Sequence, residues 1–250
     1  MKLETIIERI CALVPRVDQK TQIINEPKRK GLPPYDPGVP TLYETQFVSE
    51  LIKNWEAVYP KDFNIDTPPR IDCPYENNHH ERCDLFFTSS NYKANTFYHE
   101  WAIEFKYIRL IGNNGKNNDY GITKLLSPYL KDRGLIHDAD RLSRSKKAEK
   151  KAVIIYAFDY SFKRINLLRE LFNGHHVFLK TLNETYRVCQ KVDPKKGIYN
   201  IGPGIDIANY ILRENELSVG DYIGKKFKGA NRHPTGGWGR VVGWQINNLY

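Results

Sequence analysis

Residues 83–88 read CDLFFT and residues 101–110 read WAIEFKYIRL. Both stretches are rich in aromatic and β-branched side chains, and Ser89, Ser90 and Asn91 between them suit a turn, so the pair predicts a β-hairpin. Alternate residues of a strand leave the same face, which puts Ala102, Glu104, Lys106 and Ile108 together on the second strand. Asp84 lies on the first. A partly buried carboxylate pair needs a counter-charge, and a divalent cation such as Mg²⁺ supplies one to hard oxygen ligands. Lys106 would then stand beside the metal, placed to orient or deprotonate a water or to stabilise developing negative charge.

Upstream, Phe47, Val48, Leu51, Ile52, Trp55 and Val58 recur at helical spacing after Thr41, and Pro60 closes the segment. Taking Glu44 as the origin, the apolar set lies between about 300° and 80°, with Glu50 near ~240° and Glu56 near ~120°. Glu44 is thus the acid of this helix that points inward. Further back, Leu3, Ile6, Ile7, Ile10, Leu13 and Val14 predict an amphipathic helix of about three to four turns that Pro15 ends. Residues 25–40, NEPKRKGLPPYDPGVP, hold five prolines and read as an extended surface connection.

Downstream, residues 112–121 (GNNGKNNDYG) read as a loop, and residues 124–145 as helical material ending in HDADRLSRS. The apolar run KAVIIYAF over residues 151–158 predicts a fully buried strand. A helix over 165–172, a short strand over 176–182 and a helix over 206–212 follow, while residues 224–250 mix basic, glycine and aromatic residues without a regular pattern. This order predicts an α/β fold in a single domain spanning 1–250, with its core over 41–160. An N-terminal helix and Pro-rich connection occupy 1–40, and a C-terminal extension occupies 196–250.

Lys and Arg number 38 against 29 Asp and Glu, a net charge of +9, which points to a polyanionic partner, nucleic acid first. With 40% hydrophobic and 27% charged residues, the chain is neither disordered, collagen-like nor a disulfide-stapled miniprotein. Four cysteines, Cys11, Cys73, Cys83 and Cys189, are too few for a disulfide framework and favour a reducing compartment, the cytoplasm. The longest apolar run, Ala152 to Phe158, falls far short of the roughly 20 residues of a membrane helix. Glu4, Glu8 and Arg9 interrupt the place where a signal peptide would run, so no membrane association is expected.

Asp84 followed twenty positions later by Glu104-Phe105-Lys106, after a helix with Glu44 inward, resembles the PD-(D/E)xK nuclease superfamily. The likeness extends over about residues 41–160, through the following helix with Asp138, Asp140, Arg141 and Leu142 and the apolar strand after it. Cys83 stands where the family motif has proline. The resemblance implies a restriction endonuclease-like core, a mixed central sheet flanked by helices. It also implies Mg²⁺-dependent phosphodiester hydrolysis (with Mn²⁺ as substitute) leaving a 5′-phosphate. Carried over, Asp84 and Glu104 would bind metal together with the main-chain carbonyl of Phe105, Lys106 would act on the attacking water, and Glu44 would be an outer or second-metal ligand. A restriction or other defence enzyme acting on double-stranded DNA is the leading version, with a homodimer for two-fold cutting; a nucleic-acid-binding module that keeps the nuclease fold without turnover is the alternative.

Each of these residues also has a plainer reading. Asp84, Glu104 and Lys106 could form a cross-strand salt bridge on a solvent face, and Glu44 could complement the helix macrodipole. Cys73, His79, His80 and Cys83 lack the tight pairs of a zinc site and read as a loop with incidental residues, as do His175 and His176. Candidate DNA contacts are Arg141, Arg144, Lys146 and Lys147 at the end of the helix and Arg232, His233, Trp238 and Arg240 in the tail. For the tail, a glycine-rich surface loop with Trp238 and Trp244 packed on the core competes evenly.

Overall fold

The computed structural model describes residues 1–22, 38–76, 80–93, 97–108, 127, 134–161, 166, 169–170, 173–174, 198–199, 202–230 and 237–249. At its centre β3 (His99–Ile108), buried along its whole length, pairs antiparallel with β2 (Arg82–Phe87) and parallel with β4 (Ala148–Ser161). With β1 (Arg70–Pro74), β6 (Ile223–Lys228) and β7 (Trp238–Gln245), the strand order is β1-β2-β3-β4-β7-β6, and the two-residue β5 (Ile198–Tyr199) pairs with the end of β4. The sheet is therefore mixed and open. Its parallel step from β3 to β4 requires a crossover, which carries a helix over one face.

Among the described residues two helices cover each face. α1 (Leu3–Lys20) and α2 (Glu44–Val58) enclose Leu85, Phe87, Trp101, Ile103, Phe105 and Tyr107. α3 (Leu135–Arg144) and α4 (Gly202–Glu214) cover Phe86, Ala102, Val153, Ile155, Val242 and Trp244. Burial on both faces explains why the middle strands are almost continuously apolar. Aromatic rings lock the first layer: Phe47 of α2 stacks on Tyr156 at 3.9 Å and Trp55 on Phe87 at 5.5 Å.

Several expectations need correction. α1 does not end at Pro15 but continues to Lys20, because Val14 and Val17 on either side of the proline are fully buried and that packing outweighs one missing helical hydrogen bond. β1 was not foreseen: Arg70–Pro74 contains Asp72 at φ 51°, a left-handed conformation that interrupts the pattern of a strand. Cys73 and Cys83 face each other across the β1–β2 pair as free thiols, so both ends of the stretch read as a loop are paired strand.

The largest correction concerns the C-terminal segment, which is part of the sheet: β7 inserts between β4 and β6, and Trp244 is fully buried. Its glycines reflect close packing. A Cβ at Gly239 would fall 2.3 Å from the Ala157 carbonyl oxygen and 2.3 Å from the Phe227 ring, and one at Gly243 would fall 2.8 Å from Ile7 Cδ1. The helix expected over 124–145 is described from Leu135 onward, and α4 contains the one expected over 206–212. The Pro-rich connection up to residue 37, the loop over 112–121, the strand over 176–182, most of the helix over 165–172, and His79, His175, His176, Cys189, Arg232 and His233 lie outside the described residues. Among the described residues, no helix is long and apolar enough to cross a membrane.

Candidate active site

β2 and β3 pair at Leu85↔Ile103, Phe86↔Ala102 and Phe87↔Trp101. Beyond that register Asp84 takes over the ladder: its Oδ2 accepts the main-chain N–H of Phe105 at 2.7 Å. The Asp84 carboxyl thereby comes within hydrogen-bonding reach of Glu104. Glu104 Oε1 in turn accepts from the Tyr75 hydroxyl at 2.6 Å and from Arg141 Nη2 at 2.5 Å. Arg141 also reaches Asp138 Oδ1 at 3.2 Å, and its guanidinium lies 5.0 Å from the Tyr75 ring centroid.

Two residues along β3 from Glu104, Lys106 Nζ lies 2.8 Å from Asp138 Oδ2 and 3.7 Å from Glu44 Oε2. Asp138 comes from α3, on one face of the sheet, and Glu44 is the first residue of α2, on the other. Lys106 therefore collects acids from both layers. The spacing i, i+3 on α3 is what lets Asp138 and Arg141 point the same way.

Burial dominates the electrostatics. Glu104 is 1% exposed and Lys106 8%. Desolvation, together with the neighbouring Asp84 and Asp138 charges, drives Glu104 well above the usual carboxylate range. Burial also raises Asp84 against the pull of Lys106, and raises Glu44 to about 8. Lys106 and Arg141 are both raised, because the surrounding acids outweigh the desolvation of their charges. Among the described residues four carboxyl groups face two cations, so full ionisation of these groups would leave two negative charges in a nearly dry site.

That deficit bears directly on a divalent metal. Among the described residues Glu44 Oε1 is buried with no hydrogen-bond partner, and Asp138 Oδ2, although close to Lys106, lies outside hydrogen-bonding geometry. Hard carboxylate oxygens, an orphaned buried acceptor and an excess of carboxyl groups over cations suit Mg²⁺, which would favour the ionised form of the raised acids. Among the described residues, however, no three carboxylate, imidazole or thiol groups already close on a common centre. Lys106 stands between Glu44 and Asp138, and Arg141 between Asp138 and Glu104, as internal counter-ions. Arg141 and Tyr75 both bond Glu104 Oε1, so a metal on Glu104 would use Oε2 and compete with Arg141 for the charge of that carboxylate.

Of the residues singled out from sequence, Glu44, Asp84, Glu104 and Lys106 thus come together. Phe105 joins them through its main chain and turns its ring into the core, edge-on to Phe47 at 6.3 Å. The expected DNA contacts divide. Arg141 belongs to the site itself and is corrected as a free phosphate contact, since its guanidinium is committed to Glu104 and Asp138. Arg240 is corrected likewise: it is partly buried in β7 and pairs with Asp159 at 3.1 Å. Arg144 is exposed and pairs with Asp140, Lys146 is exposed, and Trp238 is 61% exposed at the start of β7.

Sequence reasoning missed Tyr75, whose position depends on the unforeseen strand β1, and gave Asp138 no role beyond marking the helix that extends the resemblance. The signal for Asp138 was its i, i+3 pairing with Arg141 on a helix next to the Glu104 strand. Compared with protein-family models, curated proteins and solved structures, the chain matches none of them.

Proposed function

We propose that this protein is a Mg²⁺-dependent endodeoxyribonuclease with a restriction endonuclease-like core, serving as a restriction or defence nuclease on double-stranded DNA. The observation that carries the reading is the convergence of Asp84, Glu104 and Lys106 from one hairpin with Glu44 from α2. The net charge of +9 supports a polyanionic substrate.

In this reading Asp84 and Glu104 hold the metal, with the Phe105 carbonyl and Glu44 as further oxygen donors. When bound, Mg²⁺ (or Mn²⁺) polarises the scissile phosphate and lowers the pKa of a coordinated water. The chain's own groups do the rest. Lys106, held as an ammonium by Asp138 and Glu44, has donors with which to orient the attacking water and to stabilise charge on the phosphoryl oxygens. This favours the orienting role of Lys106 over deprotonation, since a lysine between two acids is a poor base. Tyr75 fixes one oxygen of Glu104, leaving the other for the metal. Cutting both strands with one site per chain calls for a homodimer.

One observation favours the second reading, a nucleic-acid-binding module that keeps the nuclease fold: Lys106 and Arg141 already pair with the acids. The two part in a single experiment. Supercoiled plasmid incubated with the protein and Mg²⁺ is nicked or linearised with 5′-phosphate ends if the chain is a nuclease, and stays supercoiled but retarded on a gel if it is a binding module.

A further inference from the structure

A second feature lies on the α3 face of the sheet, one step along β2 from the acidic cluster. Arg70, Cys73, Phe86, Tyr98, His99 and Lys147 line a cleft of about 140 Å³. Phe86 is two residues from Asp84 on β2, so the two share a face of the strand about 7 Å apart along the backbone. Both sites also share the end of β1: Lys147 Nζ donates to the carbonyl of Pro74, and the next residue, Tyr75, donates to Glu104.

The chemistry of the cleft differs from that of the acidic cluster. Arg70 donates to the Tyr98 hydroxyl at 3.3 Å, and its guanidinium lies 5.3 Å from that ring. Lys147 Nζ lies 5.8 Å from the Phe86 ring centroid. Among the described residues, neither cation has a carboxylate partner. His99 stacks on Phe86 at 5.1 Å and meets Tyr98 edge-on at 4.7 Å, while its Nδ1 and the Thr88 hydroxyl lie 3.3 Å apart. Burial and the facing Arg70 and Lys147 keep this imidazole neutral near pH 7. The result is a pair of unneutralised cations over aromatic walls, with Tyr98 59% exposed. A cavity of this size admits one aromatic ring, and cations with an exposed ring are the elements that hold a single-stranded backbone and its bases.

We propose that this cleft binds one unpaired nucleotide of a DNA strand, its phosphate between Arg70 and Lys147 and its base against Tyr98. The proposal rests on the nuclease reading for its biological setting, because it places that nucleotide beside the scissile phosphate. The binding itself does not depend on turnover. The substrate class becomes DNA with an unstacked or unpaired nucleotide next to the cut.

The test is fluorescence anisotropy of the full chain with a labelled single-stranded DNA of about ten nucleotides, in EDTA, over a salt series. Arg70→Gln and Lys147→Gln, which keep a hydrogen-bond donor, should each weaken binding by about three- to tenfold and lower the slope of log K against log salt by about 1. Tyr98→Ala should weaken it at least about fivefold with the slope unchanged, and Tyr98→Phe should restore binding. A blunt duplex should lack the dependence on Tyr98. Arg213→Gln, which removes a surface charge on α4, serves as the charge control, and circular dichroism checks that each variant is folded. Wild-type affinity in the folded Arg70→Gln/Lys147→Gln double variant, or in Tyr98→Ala, would overturn the proposal. If plasmid is never cut but this pattern holds, the nuclease reading fails and the cleft stands; if plasmid is cut and the variants bind as wild type, the cleft fails alone.

Discussion

Asp84 Oδ2 accepts the main-chain N–H of Phe105 at 2.7 Å, so a side chain of β2 supplies a hydrogen bond that strand pairing would otherwise make. The bond holds the Asp84 carboxyl beside Glu104 at the point where the two strands stop pairing, and backbone geometry rather than a flexible rotamer sets the spacing of the two acids. Asp84→Asn keeps an acceptor for the Phe105 N–H and removes the charge. We expect the variant to fold with a Tm within a few degrees of wild type and to lose cleavage by at least about a hundredfold; parallel thermal melts and plasmid cleavage check both.

Metal binding should appear as added stability before any chemistry. At about a hundred times its Kd, Mg²⁺ should raise the unfolding free energy by about 2.7 kcal/mol, and Glu104→Gln should abolish the effect. A melt in EDTA against a Mg²⁺ titration measures it.

Arg141 gives a prediction of opposite sign for metal-free and metal-loaded protein. It bridges Glu104 and Asp138, so Arg141→Met leaves buried carboxylates uncompensated and should lower the Tm in EDTA. The same change removes the competitor for Glu104, and the Mg²⁺ concentration needed for half-maximal stabilisation should fall by about tenfold. A rise instead would mean that Arg141 supports the metal.

His99 supplies the pH dependence. Burial, reinforced by Arg70 and Lys147, lowers its pKa from the ordinary 6.5 to about 4. Between those values the unfolded chain binds a proton that the folded chain does not. The contribution is thus fully present above about pH 6.5 and is lost as the pH falls toward 4, by about 3 kcal/mol. Urea unfolding at pH 7.5 and 4.5 should show a smaller acid loss in His99→Phe than in wild type, since phenylalanine keeps a ring against Phe86 and does not titrate.

Two glycines test the packing of the C-terminal strands. Gly239→Ala should destabilise by more than about 3 kcal/mol, because its Cβ would meet the Ala157 carbonyl at 2.3 Å and nothing there can move cheaply. Gly220→Ala, with nothing within 4 Å among the described residues, should change stability by less than about 0.5 kcal/mol. Denaturant midpoints of the two variants check the contrast.

The central hairpin was legible because period-two alternation places Glu104 and Lys106 on one face whatever surrounds them. Glu44 was legible because its angle on an amphipathic helix fixes its layer. The sheet order was not: β7 sits beside β4 through a long-range pairing, and its glycines and arginine resemble a loop until Ala157 and Phe227 are seen against Gly239. Nor could the sequence say that Arg141 would turn to Glu104 instead of solvent, since that depends on how α3 crosses the sheet. Pro15 misled for the same reason, as the packing of Val14 and Val17 lies outside local propensity.

The most direct measurement of the central claim is digestion of unmethylated DNA by wild type and by Lys106→Ala, with Mg²⁺ and with EDTA, after both proteins are shown to be folded. The account predicts cleavage by wild type in Mg²⁺ alone, reduced at least about a hundredfold in Lys106→Ala. Intact DNA with folded wild type in Mg²⁺ and in Mn²⁺, or equal cleavage by the two proteins, would contradict it.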